Sequence, residues 1–188
     1  SSGRGDTFHA HSVILKARSP YFCAMLSTPM TESATLHITE CDVEPAAFEE
    51  VLNYLYTDSL SDGAAGAMGE WLLLAANKYG VEDLKRLCEF NLCRSLGVEN
   101  VSSRLVLSDQ AEAGELKKAC LSFIKDNAAE VMETSGWAPV ASHQASALLL
   151  EVTKAIVGYS QDKPSNWGSM SKNQRKKWRR RCYGRCLK

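Results

Sequence analysis

No apolar run in these 188 residues approaches the ~20 that a bilayer-spanning helix needs, so no membrane segment is expected. The opening residues, SSGRGDTFHAHS, carry neither the apolar stretch nor the small-residue cleavage site of a signal peptide, and the expected setting is intracellular. Phosphate-cradling glycine loops, nucleophile elbows and paired-carboxylate motifs are all missing. No catalytic residue and no cofactor is therefore assigned, and the chain is read as a non-enzyme. Histidine is scarce, at four residues. His9-x-His11 has no thiol pair near it and Cys182-x₃-Cys186 has no second pair, whereas structural zinc needs four converging ligands, so no metal is expected. Seven cysteines, an odd number at irregular spacings, fit reduced thiols better than a disulfide framework. There is no initiator Met and no strand ahead of Gly3, from which the chain is expected to be a fragment of a longer product.

Charge is balanced only in total. Residues 1–160 hold 12 Lys and Arg against 21 Asp and Glu, a net of −9, while residues 161–188 hold 10 against 1, a net of +9. An acidic body joined to a basic end speaks of partners and placement, not of fold. The border runs through Gly158 and SQDKPSNWGSMSKN, which has too little apolar surface to offset the entropy of ordering it, so residues 161–188 read as a mostly disordered tail.

Along the body, the periodicity is mainly helical. Residues 12–18 form a short helical run, and Ser19-Pro20 then supplies an N-cap and a proline at the first position of a second short helix. Alternation over residues 35–39 predicts a strand with Leu36 and Ile38 on one face. Pro45 opens a helix with Phe48, Val51, Leu52 and Leu55 on one stripe. Residues 67–79 are apolar on most faces and stop at Gly80, which predicts a central, well-buried helix. Val81, Leu84, Leu87, Cys88 and Leu92 repeat at helical spacing. Three further helices are marked by Val98, Val101 and Leu105, by Leu116, Cys120, Phe123 and Ile124, and by Leu148 to Ile156.

Three separated phrases, AHSVILKARSPYFCAML, DVEPAAFEEVLNYLYTD and AANKYGVEDLKRLCEFNL, resemble successive signatures of BTB/POZ domains. The continuation LGVENVSSRLVLSDQAEAGELKKACLSFIKDNAAEVMETSGW resembles the region that follows the BTB domain in MATH-BTB proteins of the speckle-type POZ protein kind. The resemblance implies an α+β, mostly helical fold: a small sheet flanked by helical hairpins, then a helical 3-box and BACK-like extension. It divides the chain into an N-terminally incomplete BTB domain at 1–96, the extension at 97–158 and the basic tail at 159–188.

It further implies a substrate adaptor of a cullin-3 RING ubiquitin ligase, supporting ubiquitination of proteins recruited by a substrate domain outside this sequence. The family's hydrophobic-x-Glu triplet, which inserts into the cullin, is matched by Met30, Thr31 and Glu32. A flexible apolar Met suits a groove on a helical partner, and Glu32 can fix register through charge-assisted hydrogen bonds. Self-association to a homodimer or oligomer is implied through Ile14 on the first short helix and through Leu149, Val152 and Ile156 in the C-terminal helical element. His11 stands where the family carries a structural histidine.

The tail sequence KNQRKKWRRR, with Arg175, Lys176, Lys177, Trp178, Arg179, Arg180 and Arg181, has the composition of a nuclear localisation signal or a nucleic-acid patch. Nuclear import is the first choice, giving an expected location in nucleus and cytoplasm. The alternative is a BTB-containing nuclear regulator whose tail binds nucleic acid.

Overall fold

The computed structural model describes residues 7–27, 38, 42–142, 146–162 and 171. The chain is mostly helical, and among the described residues no strand occurs. Of the strand expected at 35–39 only Ile38 is described, half-buried against the core, and the expected small sheet does not occur among the described residues.

The first two helices, α1 (Ser12–Arg18) and α2 (Pro20–Ser27), meet at Ser19. Its hydroxyl oxygen accepts the Phe22 N–H at 3.3 Å, the N-cap contact that proline at the next position favours. The same hydroxyl donates to the Tyr79 carbonyl at 2.6 Å, so one side chain starts α2 and satisfies a carbonyl near the end of another helix. That neighbour is α5 (Gly69–Tyr79), closed by Gly80 in the left-handed region at φ 68°. A Cβ on Gly80 would sit 3.2 Å from the Pro20 ring. Glycine is required there both by φ and by the approach of α2.

Between these lie α3 (Pro45–Thr57), entered through Pro45, and the short α4 (Ala64–Ala67). Val51, Leu52, Tyr54 and Leu55 of α3 are buried, and Phe48 joins an aromatic cluster with Phe8, Phe22 and Tyr79, in which Phe22 and Tyr79 stack at 5.0 Å. The helix expected from residue 67 begins instead at Gly69, which is buried against Leu92; an added Cβ would make an ordinary 3.4 Å contact with Leu92 Cδ2. Leu72, Leu73, Ala75, Ala76 and Tyr79 fill the core, but Trp71 is 54% exposed, so α5 has an outward face after all.

Helix α6 (Glu82–Arg94) buries Leu84, Cys88 and Leu92, and its buried Lys85 donates to Asn77 Oδ1 at 2.7 Å. Leu87 departs from the expected core repeat and faces outward. The second half packs α7 (Val101–Gln110) against α8 (Gly114–Asp126) as a hairpin with Val101, Leu105, Leu116, Cys120 and Ile124 at its centre. The short α9 (Ala128–Met132) and α10 (Trp137–Ser142) are too brief for periodicity to mark. Helix α11 (Ser146–Asp162) lies on α8 and inserts Leu148 and Val152 into the core. The described cysteines are Cys23, Cys88, Cys93 and Cys120, and they are free thiols. No helix among the described residues is long and apolar enough to cross a membrane.

Candidate interaction surfaces

Helix α1 is fastened at both ends to the far end of α3. At its start the His11 N–H donates to the Tyr56 hydroxyl at 2.7 Å, and the His11 ring Nδ1 lies 2.9 Å from the same oxygen. At its close Arg18 pairs with Asp58, the residue that ends α3 in the left-handed conformation at φ 56°. Histidine here is thus a bonding element between helices. The clamp presents one side of α1 outward, with Val13 77% exposed and Ile14 half-buried beside it. Met30, Thr31 and Glu32 follow α2 in the chain but lie outside the described residues.

The junction between the two halves is held by polar contacts that periodicity does not reveal. Helix α8 begins after Ala113, which has no side chain to cap it. Glu89 of α6 takes that role: its Oε2 accepts the N–H groups of Glu115 and Leu116, both at 2.9 Å, while the residue is almost fully buried. A carboxylate at a helix N-terminus satisfies orphan donors and meets the positive end of the helix dipole. Arg104 of α7 returns the link, donating to the Leu92 carbonyl and Ser95 Oγ at 2.9 Å each and pairing with Glu70 at 3.4 Å. Neither residue stands on an apolar stripe, so only the charged side chains themselves, at positions inside amphipathic helices, could have signalled them.

The C-terminal helix is tied down by Lys117, whose Nζ lies 2.9 Å from both Asp109 and Glu151. The hydrogen bonds to Glu151 and then to Asp109 raise its pKa and hold it charged. On α11 Leu149 and Leu150 are exposed, 39% and 52%, and Ile156 is half-buried. Val152, expected at a self-association surface, points the other way: at 1% exposure it packs in the core, because it follows Leu148 by one turn. It cannot be an intermolecular contact while α11 stays docked. The tail residues Arg175 to Arg181, including Lys176, Lys177, Trp178, Arg179 and Arg180, lie outside the described residues. Among those described, no group of His, Cys, Asp and Glu is arranged to hold a metal.

A helical corner seated on a glycine-capped helix is followed by a hairpin whose second helix is capped from the preceding half, and comparison with known proteins divides the chain between the same two parts. Residues 2–96 match the BTB/POZ domain family. The chain belongs to that family. Residues 100–151 match a second one, the BPM/SPOP BACK domain, so the Glu89 and Arg104 contacts join the BTB part to the BACK part. Among curated relatives, TD and POZ domain-containing protein 4 of Mus musculus is 42% identical over 133 residues, which is 71% of this chain and 36% of the relative. TD and POZ domain-containing protein 5 of the same organism is 41% identical over 133 residues, 71% of this chain and 39% of the relative. The chain spans less than two-fifths of the length of these relatives. BTB and BACK domains are protein-interaction modules, and this BTB chain is a member of an adaptor-type family that is generally non-enzymatic.

Proposed function

We propose that this BTB chain is the cullin-binding part of a substrate adaptor for a cullin-3 RING ubiquitin ligase. The observation that carries the reading is the direct succession of a BTB match at 2–96 and a BPM/SPOP BACK match at 100–151, joined through the buried Glu89 carboxylate. In the proposed mechanism Met30 enters an apolar groove of the cullin, Thr31 spaces it, and Glu32 sets the register by hydrogen bonding. The α7–α8 hairpin extends the same surface, while Ile14 on one side and Leu149 with Ile156 on the other carry self-association. Proteins held by a substrate domain outside this sequence would then be ubiquitinated by other subunits. The basic residues 175–181 serve nuclear import in this reading, with residence in nucleus and cytoplasm.

Calorimetric titration of the chain with the N-terminal domain of cullin-3 tests the proposal. Binding that is lost in the Met30→Ala, Glu32→Ala double variant supports it; no heat from a chain with intact helical circular dichroism overturns it. The alternative, a nuclear regulator whose tail contacts nucleic acid, rests on the net +9 of residues 161–188. It requires an affinity for DNA or RNA that falls steeply with salt and disappears on neutralising Lys176, Lys177 and Arg179 to Arg181.

A further inference from the structure

The outward face of α6 carries Asp83, Leu87, Phe90 and Arg94, separated by four, three and four residues. At 100° per residue these four fall in a strip about 60° wide and about 16 Å long. All are exposed: Phe90 at 58%, Leu87 at 36%, and both charged residues. The strip is symmetric about the point midway between Leu87 and Phe90, apolar in the middle, negative at one end and positive at the other. No role in the core accounts for Phe90, which lies off the Leu84, Cys88 and Leu92 stripe.

We propose that this strip binds a second copy of the chain, α6 against α6, antiparallel about a two-fold axis through that midpoint. In that arrangement Leu87 of each copy packs on the other's Phe90, and Asp83 of each faces the other's Arg94. One surface thereby supplies two apolar pairs and two opposite-charge pairs, the requirement for an isologous contact. Other occupants fit less well: a basic segment would meet Arg86 and Arg94, and an acidic one would meet Glu82 and Asp83. The existing partners give way readily. Arg86 sits 3.8 Å from Asp83 with both side chains exposed, and the Arg94 guanidinium rests 5.6 Å from the Phe90 ring centre, where it can stay while also reaching a carboxylate. A single helix pair is small beside the ~1,600 Å² of a standard interface, so the contact is of the transient kind. It is distinct from Ile14 and Leu149 and does not rest on the cullin reading.

The test uses the full chain with Ile14→Ser and Leu149→Asp, which silence the two other association surfaces, as its unaltered reference, and adds charge reversals on α6. Asp83→Arg alone, or Arg94→Asp alone, sets like charges against each other twice per dimer, and self-association read by concentration-dependent fluorescence transfer between labelled chains should weaken about tenfold. Mixing the two variants places two arginines of one copy against two aspartates of the other, so the mixed pair should recover to within roughly threefold of that reference. Phe90→Ser, at an exposed position and harmless to the fold, should weaken the same step. A mixed pair no tighter than either variant alone, or association untouched by Phe90→Ser, overturns the proposal.

Discussion

Glu89 Oε2 and the Leu116 N–H, 27 residues apart in sequence, meet at 2.9 Å and make the BTB part of this chain the cap of a BACK helix. The same oxygen takes the Glu115 N–H, so a single side chain does for α8 what a serine or aspartate before its first turn would otherwise do. The two matched families are therefore one folded body at this point, and a change on α6 is felt in α8.

Glu89→Ala should destabilise the chain by about 2 kcal/mol, because two N–H groups in a buried setting lose their acceptor. Glu89→Gln keeps an acceptor oxygen and the shape but not the charge, and should cost about half as much. Urea denaturation of both variants checks the order. Equal losses would mean that packing, not hydrogen bonding, is the contribution of Glu89.

Arg104→Lys should behave more like Arg104→Ala than like the unaltered chain. The guanidinium reaches the Leu92 carbonyl, Ser95 Oγ and Glu70 at once, and an ammonium group on a shorter head cannot span the three. A loss of about 1–2 kcal/mol is expected for either variant by the same measurement.

Gly80→Ala combines a left-handed backbone with a 3.2 Å approach to the Pro20 ring. The expected cost is about 1–3 kcal/mol, with amide exchange accelerated in α2 as its start is pushed from α5. Gly66→Ala, on a short helix with open space around it, is the control and should be close to neutral.

Burial pushes the Cys88 and Cys120 thiols up to about 12, with Glu89 adding to the first. Below about pH 7.5 both are protonated folded or unfolded, and they contribute no pH dependence. Between about 9 and 12 the unfolded chain releases protons that the folded chain retains, so stability falls as pH rises, by about 1.4 kcal/mol per pH unit for each thiol. Denaturation at pH 8 and pH 10 reads this slope, and the Cys88→Ala, Cys120→Ala variant should show less of it. At pH 8 both thiols should resist alkylation until the chain unfolds.

Val152 and Leu149 separate folding from association on one helix. Val152→Asp places a charge in the core and should undock α11, lowering the melting temperature and helical signal. Leu149→Asp, at an exposed position, should leave the melting temperature within a degree or two and alter only association measured by sedimentation.

Local chemistry made much of this protein legible from its residues. Pro20 after Ser19, Pro45, and Gly80 mark helix ends because proline and glycine act through their own backbone restrictions, and the stripes of α3 and α8 follow from a 3.6-residue period that any buried helix obeys. The BTB resemblance came from phrases spanning those same elements. The one-turn pairing of Leu148 with Val152 was present in the sequence too, yet which of Leu149, Val152 and Ile156 face inward depends on where α8 lies against α11. Leu87 and Cys88 are adjacent and both apolar, and only the position of α5 sends one outward and the other into the core. Glu89 and Arg104 read as ordinary charges on helices because their partners, backbone and side-chain groups alike, lie 9 to 34 residues away. Periodicity reports how a residue is turned about its own helix; what it meets there is set by how helices pack on one another, and that was decided by tertiary structure alone.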